Sequence, residues 1–293
     1  MKKILIFGGT QFVGKRLVGN LLEKGYDITL ATRGNWPVPH SSSIQHIKAD
    51  RYDIATFGEL LKTDWDVIVD QLAFSGFDAK LITDTFEGKV GRIVTVSSSA
   101  VYNECLDCKE EEFDSSSINM SDIDLSHYRV LTPDTPDYKI GKREVECIYS
   151  LSKIPTACVR FPKIIGLDDL YFRFYDLYKK IKNNEDIHIK NNFKKISLIN
   201  SREAARFLSF IVSSNIEGGI NASLDGELSL DFLEKKIERK INCVTTGNEE
   251  SLFLGEEILL NNKKAKDYGF KFEILEEYLK ELMLLYDFYS ERF

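Results

Sequence analysis

Residues 4 to 14 read Ile-Leu-Ile-Phe-Gly-Gly-Thr-Gln-Phe-Val-Gly, and this run constrains the fold more than any other. Ile4 to Phe7 is apolar throughout, as suits a parallel strand buried on both faces. Gly8, Gly9 and Gly14 then mark a tight turn, and the residues from Lys15 to Glu23 have helical periodicity. Strand, glycine turn and helix start together make a phosphate cradle. Glycine lets the backbone approach a pyrophosphate, and a helix N-terminus offers free N–H groups and partial positive charge. The expected ligand is a dinucleotide. Alone, such a turn can need glycine for geometry only. Here it opens an amphipathic helix, and a second strand follows near residue 27, which makes the first βαβ unit of a doubly wound sheet.

Further candidate strands lie at 28–32, 44–48, 67–70, 92–96 and 156–160, with candidate helices near 12–24, 53–62, 77–86, 138–152 and 170–183. Strands alternating with helices predict an α/β fold: a Rossmann-type doubly wound parallel sheet. Past Gly166 the alternation weakens, and a smaller, mostly helical C-terminal substrate cap is expected. The reading divides the chain into a nucleotide-binding domain of residues 1–165 plus 196–215 and a cap of residues 166–195 plus 216–293. The acidic, serine-containing stretch 103–137 reads as a surface insertion or lid.

The chain has 293 residues, 43% of them hydrophobic, enough for a sizeable core. A net charge of −7 speaks against nucleic acid as the main partner. No stretch approaches the roughly 20 apolar residues of a membrane span, and the apolar run behind Lys2-Lys3 stops too early at Gly8 for a signal peptide. The default expectation is a cytoplasmic protein. Cys105 and Cys108 form a C-x-x-C, but no second ligand pair accompanies it and no helix start follows a strand there. Two reduced thiols and no metal are expected.

Three elements converge with the glycine loop. Val96-Ser97-Ser98-Ser99-Ala100-Val101-Tyr102 ends a buried strand, on the side of an open α/β sheet where ligands bind. Tyr138 and Lys142, in Tyr-Lys-Ile-Gly-Lys, are four apart and share one helix face. Arg160-Phe161-Pro162 closes the next strand.

In this order the motifs resemble the extended short-chain dehydrogenase/reductase superfamily, the group of NAD-dependent nucleotide-sugar epimerases and dehydratases. The tail is similar too: Lys263-Lys264-Ala265-Lys266-Asp267-Tyr268-Gly269-Phe270 resembles that group's lysine-rich helix leading to a Gly-aromatic pair. Gly-Gly-Thr-x-Phe-x-Gly followed by Thr32-Arg33-Gly34 resembles most an atypical branch that includes the chloroplast stem-loop-binding proteins. The resemblance implies a catalytic Ser98, Tyr138 and Lys142. Tyrosine is a poor base at neutral pH, and a neighbouring ammonium favours its phenolate. Ser98 is chosen by counting back from Val101-Tyr102, with Ser99 as the alternative at the substrate. Gly8, Thr10, Gln11, Phe12 and Gly14 are assigned to the pyrophosphate, Leu72 and Ala73 to the end of the fourth strand beside it, Asp50 and Arg51 to the adenine, and Phe161 to the cofactor side of its strand. Gln11 stands where many relatives have glycine. The second strand ends without an acid for a ribose 2′-OH, and Arg33 can pair with a 2′-phosphate, so NADP is preferred over NAD.

Dehydratases of the group carry Asp-Glu directly after the catalytic Ser/Thr; here Ser99 and Ala100 stand there, which leaves epimerisation or carbonyl reduction. Lys163 occupies a position that is often Asn and is assigned to an anionic substrate group, probed against a plain exposed lysine. The expected partners are a nucleotide-sugar and, through the helices at 77–86 and 138–152, a second copy of the chain. The six lysines between Lys179 and Lys195 read as a solvated helix face or a phosphate-contacting surface. The alternative function is a non-catalytic dinucleotide-binding protein, nucleotide-sensing or RNA-associated.

Overall fold

The computed structural model describes residues 1–126, 135, 137–189, 195–245, 254 and 257–289. The chain begins β1 (Lys3–Phe7), α1 (Phe12–Glu23), β2 (Asp27–Thr32), β3 (Gln45–Lys48), β4 (Trp65–Asp70), α2 (Gly76–Phe86) and β5 (Val90–Ser98). It continues through β6 (Cys105–Cys108), α3 (Tyr138–Leu151), β7 (Thr156–Phe161), β8 (Lys163–Ile165), α4 (Arg173–Lys182), β9 (Ile187–Ile189), β10 (Lys195–Ile196), β11 (Leu198–Asn200) and α5 (Ser201–Ser213). Then follow β12 (Gly218–Asn221), β13 (Leu228–Ser229), α6 (Leu230–Ile237), β14 (Cys243–Thr245), β15 (Ile258–Leu260), α7 (Lys263–Asp267) and α8 (Leu275–Tyr289).

Seven strands form one sheet in the order β12-β7-β5-β4-β1-β2-β3. Every neighbouring pair in it is parallel. The strand order reverses between β1 and β4, whose ends meet where Phe7 pairs with Asp70. Such a switch point opens a crevice beyond the strand ends. Alternate residues of β1 serve opposite layers, as the strand pleat requires. Ile4 and Ile6 pack with Leu17, Val18 and Leu21 of α1 and Phe207 and Leu208 of α5. Leu5 and Phe7 pack with Ile82 and Phe86 of α2 and Val145 and Ile148 of α3. Both faces of the sheet are therefore dry, and this is why β1, β4 and β5 read as unbroken apolar runs.

Three expectations need correction. Residues 53–62 form two 3₁₀ turns, Ile54–Phe57 and Leu60–Lys62, instead of one helix. Their buried anchors Phe57 and Leu60 are three residues apart, the period of the tighter helix. The helix expected from residue 170 starts only at Arg173, because Phe172 takes a left-handed φ of 49° and the Asp169 carboxylate holds the N–H groups of Tyr171 and Arg173. Residues 218–221, counted with the cap, form the edge strand of the central sheet. Of the stretch read as a surface insertion or lid, the part from Ile118 to Leu125 lies against the helices: Ile123 is buried with α2 and α3, and Ile118 and Leu125 pack against the same cluster. It thus covers part of the helical face expected to meet a second copy.

Helix α1 lies against the end of β1 so closely that a Cβ on Gly14 would overlap the Gly8 carbonyl oxygen. Gly14→Ala is expected to cost about 3 kcal/mol through this overlap. Gly58→Ala meets no neighbouring atom within 4 Å at an ordinary φ of −50°, and is expected to be neutral or stabilising by about 0.5 kcal/mol. Urea unfolding of both variants against the parent measures the contrast.

Candidate functional site

The site begins with an unsatisfied helix end. Gln11 precedes α1 in extended backbone and makes no side-chain cap, and the first turn carries no acidic residue. Helices α2 and α5 are closed. Ser75 and Asp78 form a reciprocal capping box on α2, whose Gly76 N–H also donates to Glu144 Oε2 at 3.1 Å. Asn200 accepts from Glu203 N–H at 2.7 Å at the start of α5. The open N–H groups of α1 face the switch point, where Gly8 turns at φ +90° and a Cβ in its place would lie 3.1 Å from Leu72 Cγ. Gln71, which the sequence did not single out, holds the Gly8 carbonyl through its Nε2 at 3.0 Å. A bare, positively polarised helix end with glycines at its mouth fits a dinucleotide pyrophosphate.

Beside it, β5 ends in Ser98. The Ser98 Oγ accepts from Ala100 N–H at 3.1 Å, which fixes the following 3₁₀ turn. Burial pushes the Tyr138 phenol up from its ordinary value, while the nearby Ser98 hydroxyl and the charge of Arg173 partly offset this. Lys142 lies one turn further along α3. Its Nζ is 5.6 Å from the Tyr138 ring centre and 4.6 Å from that of Phe74. It donates to the carbonyls of Ala73 at 2.8 Å and Val96 at 2.9 Å. An ammonium has three donors, so one is left over for a ligand among the described residues. Burial drives the Lys142 pKa down to about 8, against the opposing pull of Asp70 and Asp78.

A third residue on the same face, Glu146, was missed by the sequence reading. Its signal was its position four residues after Lys142. Glu146 accepts from Ser97 Oγ at 2.5 Å and pairs with Arg160, whose Nη2 is 2.7 Å away. Both are almost fully buried. Arg160 Nη1 donates to the Tyr102 hydroxyl at 2.7 Å and the Glu110 carbonyl at 2.8 Å. Tyr102 in turn donates to Asn221 Oδ1 at 2.7 Å. Burial would lower the Arg160 pKa, but its bonds to Glu146 outweigh that and raise it.

The remaining assigned residues divide. Thr10 and Gln11 line the turn before α1 and Phe12 opens the helix, while Leu72 is 36% exposed after the end of β4 with Ala73 buried beside it. Arg33 is exposed after β2 and makes no ion pair or hydrogen bond to the described residues. Asp50 is half-buried and its Oδ1 accepts from Tyr52 N–H at 3.1 Å. Arg51 and Phe161 are turned inward. The Arg51 guanidinium is buried against Asp70 at 2.9 Å, and the Phe161 ring packs against Phe207 in the core. Ser99 follows Ser98 in the turn, and Lys163 is half-buried on β8, which pairs with β11. Of the lysines between 179 and 195, Lys182 pairs with Asp287 and Lys195 with Glu227, while Lys190 and Lys194 lie outside the described residues. Cys105 and Cys108 are joined as a disulfide, which corrects the expected pair of thiols. Among the described residues no group of three or more potential ligands is placed to hold a metal, and no helix is long and apolar enough to cross a membrane.

Comparison with known proteins bears on this geometry. The model of the NAD-dependent epimerase/dehydratase family matches residues 4–123. The chloroplast stem-loop binding protein of 41 kDa b from Arabidopsis thaliana is 33% identical over 92% of this chain and 68% of its own length. Among solved structures, a dTDP-glucose 4,6-dehydratase from Bacillus anthracis in complex with NAD matches with a TM-score of 0.71 at 15% identity, over 100% of this chain and 99% of the other. A UDP-glucose 4-epimerase from Thermotoga maritima with UDP-glucose matches at 0.70 and 13%, over 98% of this chain and 99% of the other. These structural likenesses establish the Rossmann-type fold. The chain belongs to the NAD-dependent epimerase/dehydratase family.

Lys142 gives a testable pH dependence. Its folded pKa of about 8 lies below the unfolded value of 10.5, so between these values the unfolded chain binds more protons and stability rises with pH. Relative to Lys142→Met, the parent is expected to gain up to about 3 kcal/mol of unfolding free energy from pH 8 to 10.5. Urea unfolding of the two proteins across this range measures the difference, which cancels the contributions of other titrating groups.

Proposed function

We propose that this protein is an NAD(P)-dependent epimerase or reductase acting on a hydroxyl or carbonyl of a sugar-like substrate, in the first instance a nucleotide-sugar. The observation that carries the reading is the Lys142 ammonium, held by the Ala73 and Val96 carbonyls 5.6 Å from the centre of the Tyr138 ring, at the end of the strand that carries Ser98 and next to the open end of α1. When bound, the nicotinamide dinucleotide supplies the hydride acceptor or donor. The chain's own groups do the rest. Tyr138 takes the proton of the substrate hydroxyl, Ser98 hydrogen-bonds the same oxygen, and the Lys142 charge stabilises the phenolate that Tyr138 must pass through. The free donor of Lys142 suits the nicotinamide ribose. Gly8, Thr10, Gln11, Phe12 and Gly14 meet the pyrophosphate, Leu72 and Ala73 flank it, and Asp50 borders the adenine. Arg51 and Phe161 support this surface from behind. Ser99 and Lys163 face the substrate. Ser99-Ala100 in place of an acidic pair disfavours dehydration.

Arg33, exposed and without a protein partner among the described residues, favours NADP through its 2′-phosphate. A cytoplasmic setting belongs to the same proposal, and so does a homodimer. The relatives' names support the reading: a UDP-glucuronic acid 4-epimerase from Bacillus cereus was solved with UDP-glucuronic acid and NAD. A second reading, RNA association without catalysis, rests on the name of the stem-loop binding relative.

Tyr138→Phe is expected to lower turnover of a nucleotide-sugar panel by at least about a hundredfold, within the range that general acid–base groups contribute. NADPH affinity, followed by nicotinamide fluorescence, should stay within about twofold. Unchanged turnover would remove Tyr138 from the mechanism. Arg33→Asp is expected to reverse the NADPH-over-NADH preference by about tenfold, the effect of one charge-assisted contact. The RNA reading predicts hairpin binding that weakens steeply with salt; absence of binding at low salt excludes it.

A further inference from the structure

We propose that Cys105 and Cys108 form a thiol–disulfide exchange site for a low-molecular-weight thiol of the glutathione class, and that its state is transmitted to the end of β5. Three observations carry this. First, the backbone of β6 is shaped for the bond. In an extended strand, residues three apart lie about 10 Å from each other, whereas the two Cα atoms here are 5.6 Å apart, within disulfide reach. The pairing with β15 shows the same contraction: Cys105 faces Ile258 and Cys108 faces Leu260, so β6 carries one extra residue as a bulge.

Second, the two sulfurs are unequally accessible. Cys108 is fully buried, Cys105 is only half-buried, and Leu106 beside it is 50% exposed. An external thiolate can therefore attack the Cys105 sulfur. Attack forms a mixed disulfide at Cys105 and releases Cys108 as thiolate; a second thiol then attacks the outer sulfur, leaving two protein thiols and one oxidised glutathione. Oxidation runs the same steps backwards, with oxidised glutathione as electron acceptor. The electrons balance at two per disulfide.

Third, the Cys108 carbonyl is the first link of a buried chain of hydrogen bonds. It accepts from Asn221 Nδ2 at 2.8 Å and from Asn261 N–H at 2.9 Å. Asn221 Oδ1 holds the Tyr102 hydroxyl, Tyr102 accepts from Arg160, Arg160 pairs with Glu146, and Glu146 accepts from Ser97. Ser97 directly precedes Ser98. Opening the disulfide lets β6 extend, shifts the Cys108 carbonyl and loosens the outer end of this chain.

The exchange does not depend on the proposed activity, and the test reads none. The full-length protein is equilibrated in glutathione buffers from reducing to oxidising, acid-quenched, denatured and alkylated. Five cysteines with one disulfide should take up three alkyl groups at the oxidising end, and five at the reducing end. Cys108→Ser should acquire one glutathione at Cys105, and Cys105→Ser should acquire none at Cys108. Uptake of five groups throughout, or an adduct on Cys108 alone, overturns the exchange site. Hydrogen exchange of residues 97–102 in the two states tests the transmission. Reduction should speed exchange there about five- to tenfold, the consequence of losing roughly one buried hydrogen bond, and Cys105→Ser should match the reduced protein whatever the buffer. Equal exchange rates in both states overturn the transmission.

Discussion

Helix α3 brings Tyr138 to Ser98 only because two charges on that same face are buried and both are satisfied. Lys142 enters the sheet end with two carbonyls as acceptors, and Glu146 enters with Arg160 and Ser97 as donors. An unpaired buried charge costs several kcal/mol, so neither residue tolerates loss of its partners. The requirement fixes the axial position and rotation of α3 against β5 and β7. It also ties the ends of those strands, Ser98 and Phe161, into the register in which they pair. The reacting geometry is thus a by-product of burying a cation and an anion one turn apart.

The same network organises what surrounds the site. Arg160 reaches past Glu146 to the carbonyls of Glu110 and Phe113, so the acidic segment after β5 is anchored from the core, and its Glu110 and Asp107 carboxylates add bonds from Asn221 and Asn261. Asn221 joins this segment to the edge strand β12 and to Asn261 after β15. Across the crevice, Asp70 and Arg51 form a second buried pair, completed by the Tyr149 hydroxyl. Burial would raise the Asp70 carboxyl, but the Arg51 charge and bonds outweigh it and hold it below its ordinary value. Two compensated charge clusters therefore flank the switch point, and the end of α1 between them is left bare to meet an anion.

Much of this was legible in the chain, for identifiable reasons. Period-two burial on both faces produces unbroken apolar strands, and Gly14 is demanded by contact with the Gly8 carbonyl, so the opening βαβ unit shows in the local order of residues. Tyr138 and Lys142 were visible because a helix face repeats every three to four residues. Glu146 obeyed the same rule yet carried no meaning until Arg160, 14 residues later, was seen to face it. Arg51 looked like a ligand-facing cation because sequence position alone does not reveal that it meets Asp70 at the end of β4, which β1 and β2 separate from the β3 that Arg51 follows.

The sequence by itself determined the parallel sheet, the phosphate-facing turn and the side chains available for chemistry, because these depend on periodicity, glycine geometry and residue type. Only the tertiary structure decided which charges are neutralised within the protein and which helix end stays open. It also decided that the segment after β5 is docked and that its two cysteines meet. Those outcomes depend on partners far apart in the chain, and a pairing across space leaves no mark in the local order of residues.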